Sequence, residues 1–149
     1  MISISIMSGE RLKKFMANKG LSPEEILRKD MDIYFSDGFI QDHPVEVEEF
    51  IEISLRHYQP ADAFFRQFAA CSHHDTAARL SRIDVPVLVA AGDDDPLVPS
   101  VNSTILKEII PGAELCFFPG CRHCFFIEEA ETFNRKAIQF FNAAGRAGE

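Results

Sequence analysis

The spacing of apolar residues changes character along the chain. Ile2, Ile4 and Ile6 alternate with Ser3 and Ser5, a period of two that predicts a short strand over residues 2–7 with one apolar face. From Gly9 to about Leu80 the apolar residues instead recur at three and four, the period of amphipathic helices. Leu12, Phe15 and Met16 share one face of a first helix, and Gly20 stands where that helix is expected to end. Ser22-Pro23-Glu24-Glu25 combines a capping box with proline in the first turn, which opens a second helix predicted to reach about Tyr34. Beyond Ser36-Asp37-Gly38, read as a turn, Pro44 opens a third helix with Val47, Phe50, Ile51, Ser54 and Leu55 on one side, ending near Pro60. A fourth carries Ala63, Phe64, Gln67, Phe68 and Cys71 along one face and leads through His73-His74-Asp75 to a helical turn at Leu80.

The texture changes again at Val85. Val85 to Ala91 is a continuous apolar run closed by Gly92, the signature of a strand covered on both faces. Ser100–Ile110 has helical spacing, Glu114–Phe118 is a second apolar strand, and Glu129–Asn142 is a closing helix with Phe133, Ala137, Phe140 and Phe141 inward. Strand, helix, strand, helix with short links implies parallel strands joined by a right-handed crossover. The expected organisation is therefore a core strand at 1–7, a helical region at 8–80 and an α/β segment at 81–149.

Composition narrows the class. At 149 residues and 46% hydrophobic content, with 14 Phe, the chain suits one domain that buries roughly 70% of its unfolded surface. No apolar run approaches the ~18 residues of a membrane helix. A net charge of −8 repels nucleic acid and anionic membrane surfaces, so neither is expected as a partner. Cys71, Cys116, Cys121 and Cys124 lack the even spacing of a disulfide framework and are expected to be reduced. The opening MISISIM has neither basic leader nor small-residue cleavage site, which makes a cytoplasmic setting the expectation.

In open α/β sheets, ligands and catalytic groups collect beyond the carboxyl ends of the strands. Two loops meet that condition: Gly92-Asp93-Asp94-Asp95-Pro96-Leu97-Val98-Pro99 and Gly120-Cys121-Arg122-His123. An Asp and a His delivered side by side from neighbouring parallel strands can hydrogen-bond, and the carboxylate then fixes the tautomer of an imidazole acting as general base. The 28 residues between Asp95 and His123 span one such crossover; on spacing alone, a solvated acidic turn and a surface histidine remain open. Cys121-x-x-Cys124 lacks the second pair that a zinc site requires and the helix-opening context of redox motifs. His73-His74-Asp75, as possible metal ligands, are outweighed by capping or solvent-facing roles at a helix junction. No metal is expected.

The stretch from Leu80 to Pro99, with the pattern "I..PvLv..G..D..vP", resembles the segment of the α/β-hydrolase superfamily that ends on the triad acid. Ile110-Pro111-Gly112-Ala113-Glu114, followed by Pro119 to Glu128, resembles that family's segment around the triad histidine. The resemblance implies Asp95 as the acid and His123 as the base. It extends over Leu80–Phe141 and is weak upstream, where Phe35-Ser36, Phe39 and Pro44, then Ala70, Asp75 and Leu80, look like the helical cap of esterase, lactonase and peroxidase-like members. The implied fold is α/β: the C-terminal part of an α/β-hydrolase fold, about three parallel strands with a helical cap insertion. The implied chemistry is hydrolysis of an ester, lactone or similar C–O or C–N bond in a small molecule, without cofactor.

The pattern departs from the family at the nucleophile, because no G-x-S-x-G elbow occurs in these 149 residues. Ser8 stands at the end of the opening strand, where the elbow would not be, and Cys121 and Cys124 flank His123 without aiming at it. The chain is expected to be inactive alone; it could also be completed by a partner chain, act through an unrecognised nucleophile, or serve as a non-catalytic interaction module. An unpaired edge along residues 2–7 is expected to promote self-association as a dimer. Phe15, Phe64, Phe68 and Phe126 are candidate interface or pocket residues, with a core role as the alternative.

Overall fold

A computed structural model describes residues 9–146. The strand expected at 2–7, the edge it would expose and Ser8 lie outside the described residues. Seven helices come first: α1 (Gly9–Met16), α2 (Pro23–Lys29), α3 (Met31–Tyr34), α4 (Asp37–Asp42), α5 (Pro44–Arg56), α6 (Ala61–His73) and α7 (Ala77–Leu80). They are followed by β1 (Leu88–Gly92), α8 (Val101–Ile109), β2 (Glu114–Phe118), α9 (Phe125–Glu128) and α10 (Ala130–Arg146). No helix among the described residues is long and apolar enough to cross a membrane.

Helix boundaries follow local chemistry. The capping box at Ser22 is complete: its hydroxyl accepts the Glu25 amide, and the Glu25 carboxylate accepts the Ser22 amide at 2.7 Å. The helix it opens stops at Lys29 rather than Tyr34. At Asp30 the backbone turns out of register (φ −98°, ψ 7°), and a new short helix begins. The Asp30 side chain is buried beside Lys29 Nζ at 3.3 Å, and that ammonium also donates to the carbonyls of Lys14 and Phe15. One partly buried cation thus pairs with Asp30 and caps the carbonyls at the end of α1. Gly20 does not end α1 directly; it turns the chain four residues later at φ +83°, a conformation that favours glycine.

Ser36-Asp37-Gly38, expected as a turn, instead starts α4, because the Ser36 hydroxyl accepts the Phe39 amide at 3.2 Å and so caps a helix. Near the strands, Pro86 has no N–H to give to a ladder, and β1 begins at Leu88 rather than Val85. β2 matches its expected bounds. The closing helix runs four residues beyond Asn142, and the short α9 before it had no counterpart in the pattern.

β1 and β2 pair in parallel, Leu88 opposite Glu114 and Gly92 opposite Phe118, as the crossover predicts. Two apolar clusters hold the molecule together. Val89, Ile110 and Ala113 form one, with Leu80, Ile83, Val87, Leu106 and Leu115 against it. The other joins the helical region to the loop after β2: Met31, Phe35, Val47, Ile51 and Cys124, flanked by Leu27, Tyr34, Phe39, Phe50 and Ile127. Phe118 stacks on Phe125, which meets Phe133 edge-on, and Phe126 beside them is half exposed. Phe15, Phe64 and Phe68 instead form a chain of ring contacts between α1 and α6, and no residue of α6 is buried.

At the end of β1 the two halves of the crossover touch. A Cβ built on Gly92 would lie 2.3 Å from the Cys121 carbonyl oxygen and 2.5 Å from that of Arg122. Both are backbone atoms and cannot rotate away. Gly92→Ala is therefore expected to destabilise the fold by about 3 kcal/mol, the upper range of overpacking costs. Urea unfolding measures it, and an unchanged midpoint would contradict this close approach.

Candidate active site

Because β1 and β2 are parallel and in register, the loops after Gly92 and Phe118 leave the sheet at the same edge. Backbone bonds then stitch them: the Asp93 amide to the Phe118 carbonyl at 3.2 Å and the Asp94 amide to the Cys121 carbonyl at 3.1 Å. The Asp93 carboxylate accepts the Gly120 amide at 2.7 Å, where Gly120 turns the chain at φ +72°.

This stitching delivers Asp95 to His123. One Asp95 oxygen, Oδ1, accepts the amides of Leu97 and Val98 at 2.8 and 3.0 Å. The other, Oδ2, lies 2.9 Å from His123 Nδ1. An ionised carboxylate can only accept, so opposite an ionised Asp95 this contact calls for a proton on Nδ1, and a neutral ring then carries its lone pair on Nε2. Exposure separates the two partners: 6% for the Asp95 side chain and 36% for that of His123. The Asp95 carboxylate is buried and fixed by two backbone amides, while the imidazole remains partly exposed. Tyr34 stands beside the imidazole with ring centres 6.5 Å apart, and burial, then Asp30, push its phenol above the ordinary value.

The histidine loop is also bound to the helical region. Cys124 donates its amide to the Tyr34 carbonyl at 2.8 Å, and His123 its amide to Ile33 at 3.4 Å. The Arg122 guanidinium donates to the carbonyls of Asp32 and Phe35 at 2.9 and 3.1 Å, to Asp37 Oδ1 at 2.9 Å and to Asp94 Oδ2 at 3.3 Å. Burial alone would lower its pKa, but the bonds to Asp37 and Asp94 outweigh it and hold the group above its ordinary value. Glu128 accepts from Arg122 and Ser36. Sequence reasoning missed Arg122 and Glu128 as members of the site. The available signal was two charged residues framing His123 inside an otherwise apolar run.

The other candidate groups are placed elsewhere. His73 Nδ1 contacts the Ala69 carbonyl, His74 Nε2 contacts Thr76 Oγ1, and Asp75 accepts the Ala77 amide, all local contacts at the end of α6. Among the described residues no group of three or more His, Cys, Asp and Glu gathers as a metal site. A cavity of about 510 Å³ between β2 and α10 is lined by Leu115, Phe117, Lys136 and Phe140, and neither loop of the site lines it.

Cys121 and Cys124 are buried, and burial, reinforced by Glu128, pushes both thiols up to about 12. They are protonated at neutral pH and are not nucleophiles. In the native protein Cys71, which is exposed, is expected to react with a thiol reagent while Cys121 and Cys124 react only after unfolding; labelling of Cys121 at the Cys71 rate would contradict this. The folded-state values lie above the ordinary 9.0, so folding holds these protons more tightly. Their contribution to stability is complete below pH 9 and is lost as pH rises towards 12, which a denaturation series across that range reads directly.

The family described as alpha/beta hydrolase fold matches residues 60–130. "Putative carbamate hydrolase RutD" of Agrobacterium fabrum (strain C58 / ATCC 33970) is 40% identical over 86 residues, 58% of this chain and 33% of that protein. "Bifunctional esterase/perhydrolase DCH" of Acinetobacter calcoaceticus is 32% identical over 84 residues, 56% of this chain and 30% of its own length. The solved enol-lactonase from Burkholderia xenovorans LB400 superposes with a TM-score of 0.75 at 17% identity, covering 88% of this chain and 49% of that one, a likeness of fold. The chain thus spans from 30% to 49% of the length of these relatives. Residues 60–130, which include both Asp95 and His123, match the alpha/beta hydrolase fold family, and with a backbone that follows the solved enol-lactonase along 88% of its length the chain has the fold of a C-terminal part of an α/β hydrolase.

Proposed function

We propose that this chain supplies the acid and the base of a Ser-His-Asp hydrolase, which cleaves an ester, lactone, carbamate or related C–O or C–N bond in a small molecule. The observation that carries the reading is the 2.9 Å contact between Asp95 Oδ2 and His123 Nδ1. It leaves Nε2 as the basic nitrogen, pointing away from the carboxylate. In the complete reaction Nε2 takes the hydroxyl proton of a serine as that oxygen attacks the carbonyl carbon. Asp95 stabilises the resulting imidazolium and remains ionised, and the same Nε2–H then protonates the leaving oxygen or nitrogen. Water repeats the cycle on the acyl group. The carbamate and ester relatives support the range of bonds named.

The nucleophile in this reading comes from a polypeptide segment bearing the G-x-S-x-G elbow, on the same or a partner chain, and the 149 residues alone do not turn over. An activated ester and a fluorophosphonate test this. The purified chain is expected to keep its unmodified intact mass after fluorophosphonate treatment and to hydrolyse p-nitrophenyl acetate no faster than its His123→Ala variant. A stoichiometric adduct, or hydrolysis that the His123→Ala change abolishes, would show that the chain carries its own nucleophile and overturn that half of the reading.

A further inference from the structure

The pair of Asp95 and His123 requires the imidazole to be held at one depth and one rotation, yet His123 sits in a loop and is 36% exposed. The main chain on each side of it is fixed from the helical region. After His123, the Cys124 amide donates to the Tyr34 carbonyl at 2.8 Å. Before it, the Arg122 amide donates to Glu128 Oε1 at 2.7 Å. The second oxygen of the same carboxylate, Oε2, accepts both the Ser36 amide at 3.0 Å and the Ser36 hydroxyl.

Tyr34 and Ser36 are two residues apart on one extended connection, since Phe35 has φ −129° and ψ 151°. The histidine loop is thus gripped at Arg122 and at Cys124 by the same short piece of chain, and Glu128 is the bridge that closes the grip. A carboxylate that accepts three donors, two of them from a residue 92 positions away, is a charge-assisted junction, roughly twice as strong per bond as a neutral contact. Phe35 between the two anchors is fully buried, which denies the connection any freedom to follow a loosened loop. Ser36 also caps α4 through Phe39, so the anchor itself is tied to a helix start.

We propose that Glu128 is a positioning residue for His123: it acts through the Arg122 amide and Ser36 to set the ring against Asp95. This rests on the reading of Asp95 and His123 as acid and base. Glu128 does not touch the reacting atoms; its role is to keep the Nδ1–H tautomer populated by keeping Nδ1 within bonding distance of Oδ2.

The test is ¹⁵N-histidine NMR of the 149-residue chain, which needs no nucleophile or substrate. In the unaltered protein a low-field His123 Nδ1–H resonance is expected, assigned by its loss in Asp95→Asn and in His123→Ala. Glu128→Ala is expected to abolish that resonance and turn the His123 nitrogen shifts into those of a mixed-tautomer ring, with far-UV circular dichroism unchanged. Glu128→Gln keeps an acceptor for the Arg122 amide and is expected to restore part of the signal. Ser36→Ala, which removes only the hydroxyl donor, is expected to shift the resonance without abolishing it, and decides the matter should Glu128→Ala fail to fold. Ser22→Ala, which removes a distant helix cap, is the control for stability loss alone and should leave His123 unmoved.

A His123 resonance identical to that of the unaltered protein in Glu128→Gln and Ser36→Ala, or in a folded Glu128→Ala, would overturn the positioning role while leaving the acid–base pair intact. A protein that shows no Asp95-dependent resonance would overturn the pair itself, and the positioning role with it.

Discussion

The site depends on a side chain that is not there. β1 ends at Gly92, and the main chain of Cys121 and Arg122 lies across the space a Cβ would occupy. Only that approach allows the Asp94 amide to reach the Cys121 carbonyl and the Asp93 carboxylate to reach the Gly120 amide. Those bonds bring the two loops to one depth, and the meeting of Asp95 with His123 follows. A chain of constraints that begins with van der Waals exclusion at one residue thus ends in the placement of another's ring.

Charge works differently in the two parts of the molecule. Arg66 and Asp62 face solvent at 70% and 71% exposure, where an ion pair contributes about 0–1 kcal/mol and is screened by salt. Arg122 has the same chemistry with a side chain only 15% exposed. Its guanidinium has exchanged water for two carbonyls and two carboxylates, and removal of its partners would leave a poorly solvated cation, a cost of several kcal/mol rather than a fraction of one. Arg122, immediately before His123, therefore ties the loop after β1 to the stretch from α3 to the start of α4. The helical region and the β1–α8–β2 unit are coupled at the site itself, through Arg122, Glu128 and the apolar cluster around Cys124.

What the sequence revealed, and what it hid, divides along physical lines. Features set by spacing were readable: the strand ending in Gly92, the strand Glu114–Phe118, the capping box at Ser22, and the proximity of Asp95 to His123 one crossover apart. Roles set by contacts between distant segments were not. The Ser36 hydroxyl makes a local cap that turns an apparent turn into α4, yet its bond to Glu128 crosses 92 residues, and no periodicity encodes it. The break at Asp30 is hidden in the same way, because helical spacing continues through Met31 and Ile33 while the buried Asp30 carboxylate pairs with Lys29, which also reaches the end of α1. Cys121-x-x-Cys124 illustrates the converse: the spacing suggests chemistry, but burial fills both positions with protonated thiols that pack as small apolar groups.

The Asp95–His123 pair draws its geometry from residues 30–37, 92–98 and 118–128, all within this chain. Its assembly therefore does not depend on the residue that His123 would activate. This separation has a consequence for catalysis. General-base action requires the attacking oxygen to lie within hydrogen-bond reach of Nε2, and a displacement of about 1 Å costs on the order of a hundredfold in rate. With Asp95 immobilised by two backbone amides and His123 held on both sides by the Tyr34–Ser36 connection, the pair has little freedom to move towards a poorly placed nucleophile. In the proposed reaction, the accuracy demanded therefore falls on how an elbow-bearing segment would seat against this surface, and not on any rearrangement of Asp95 and His123.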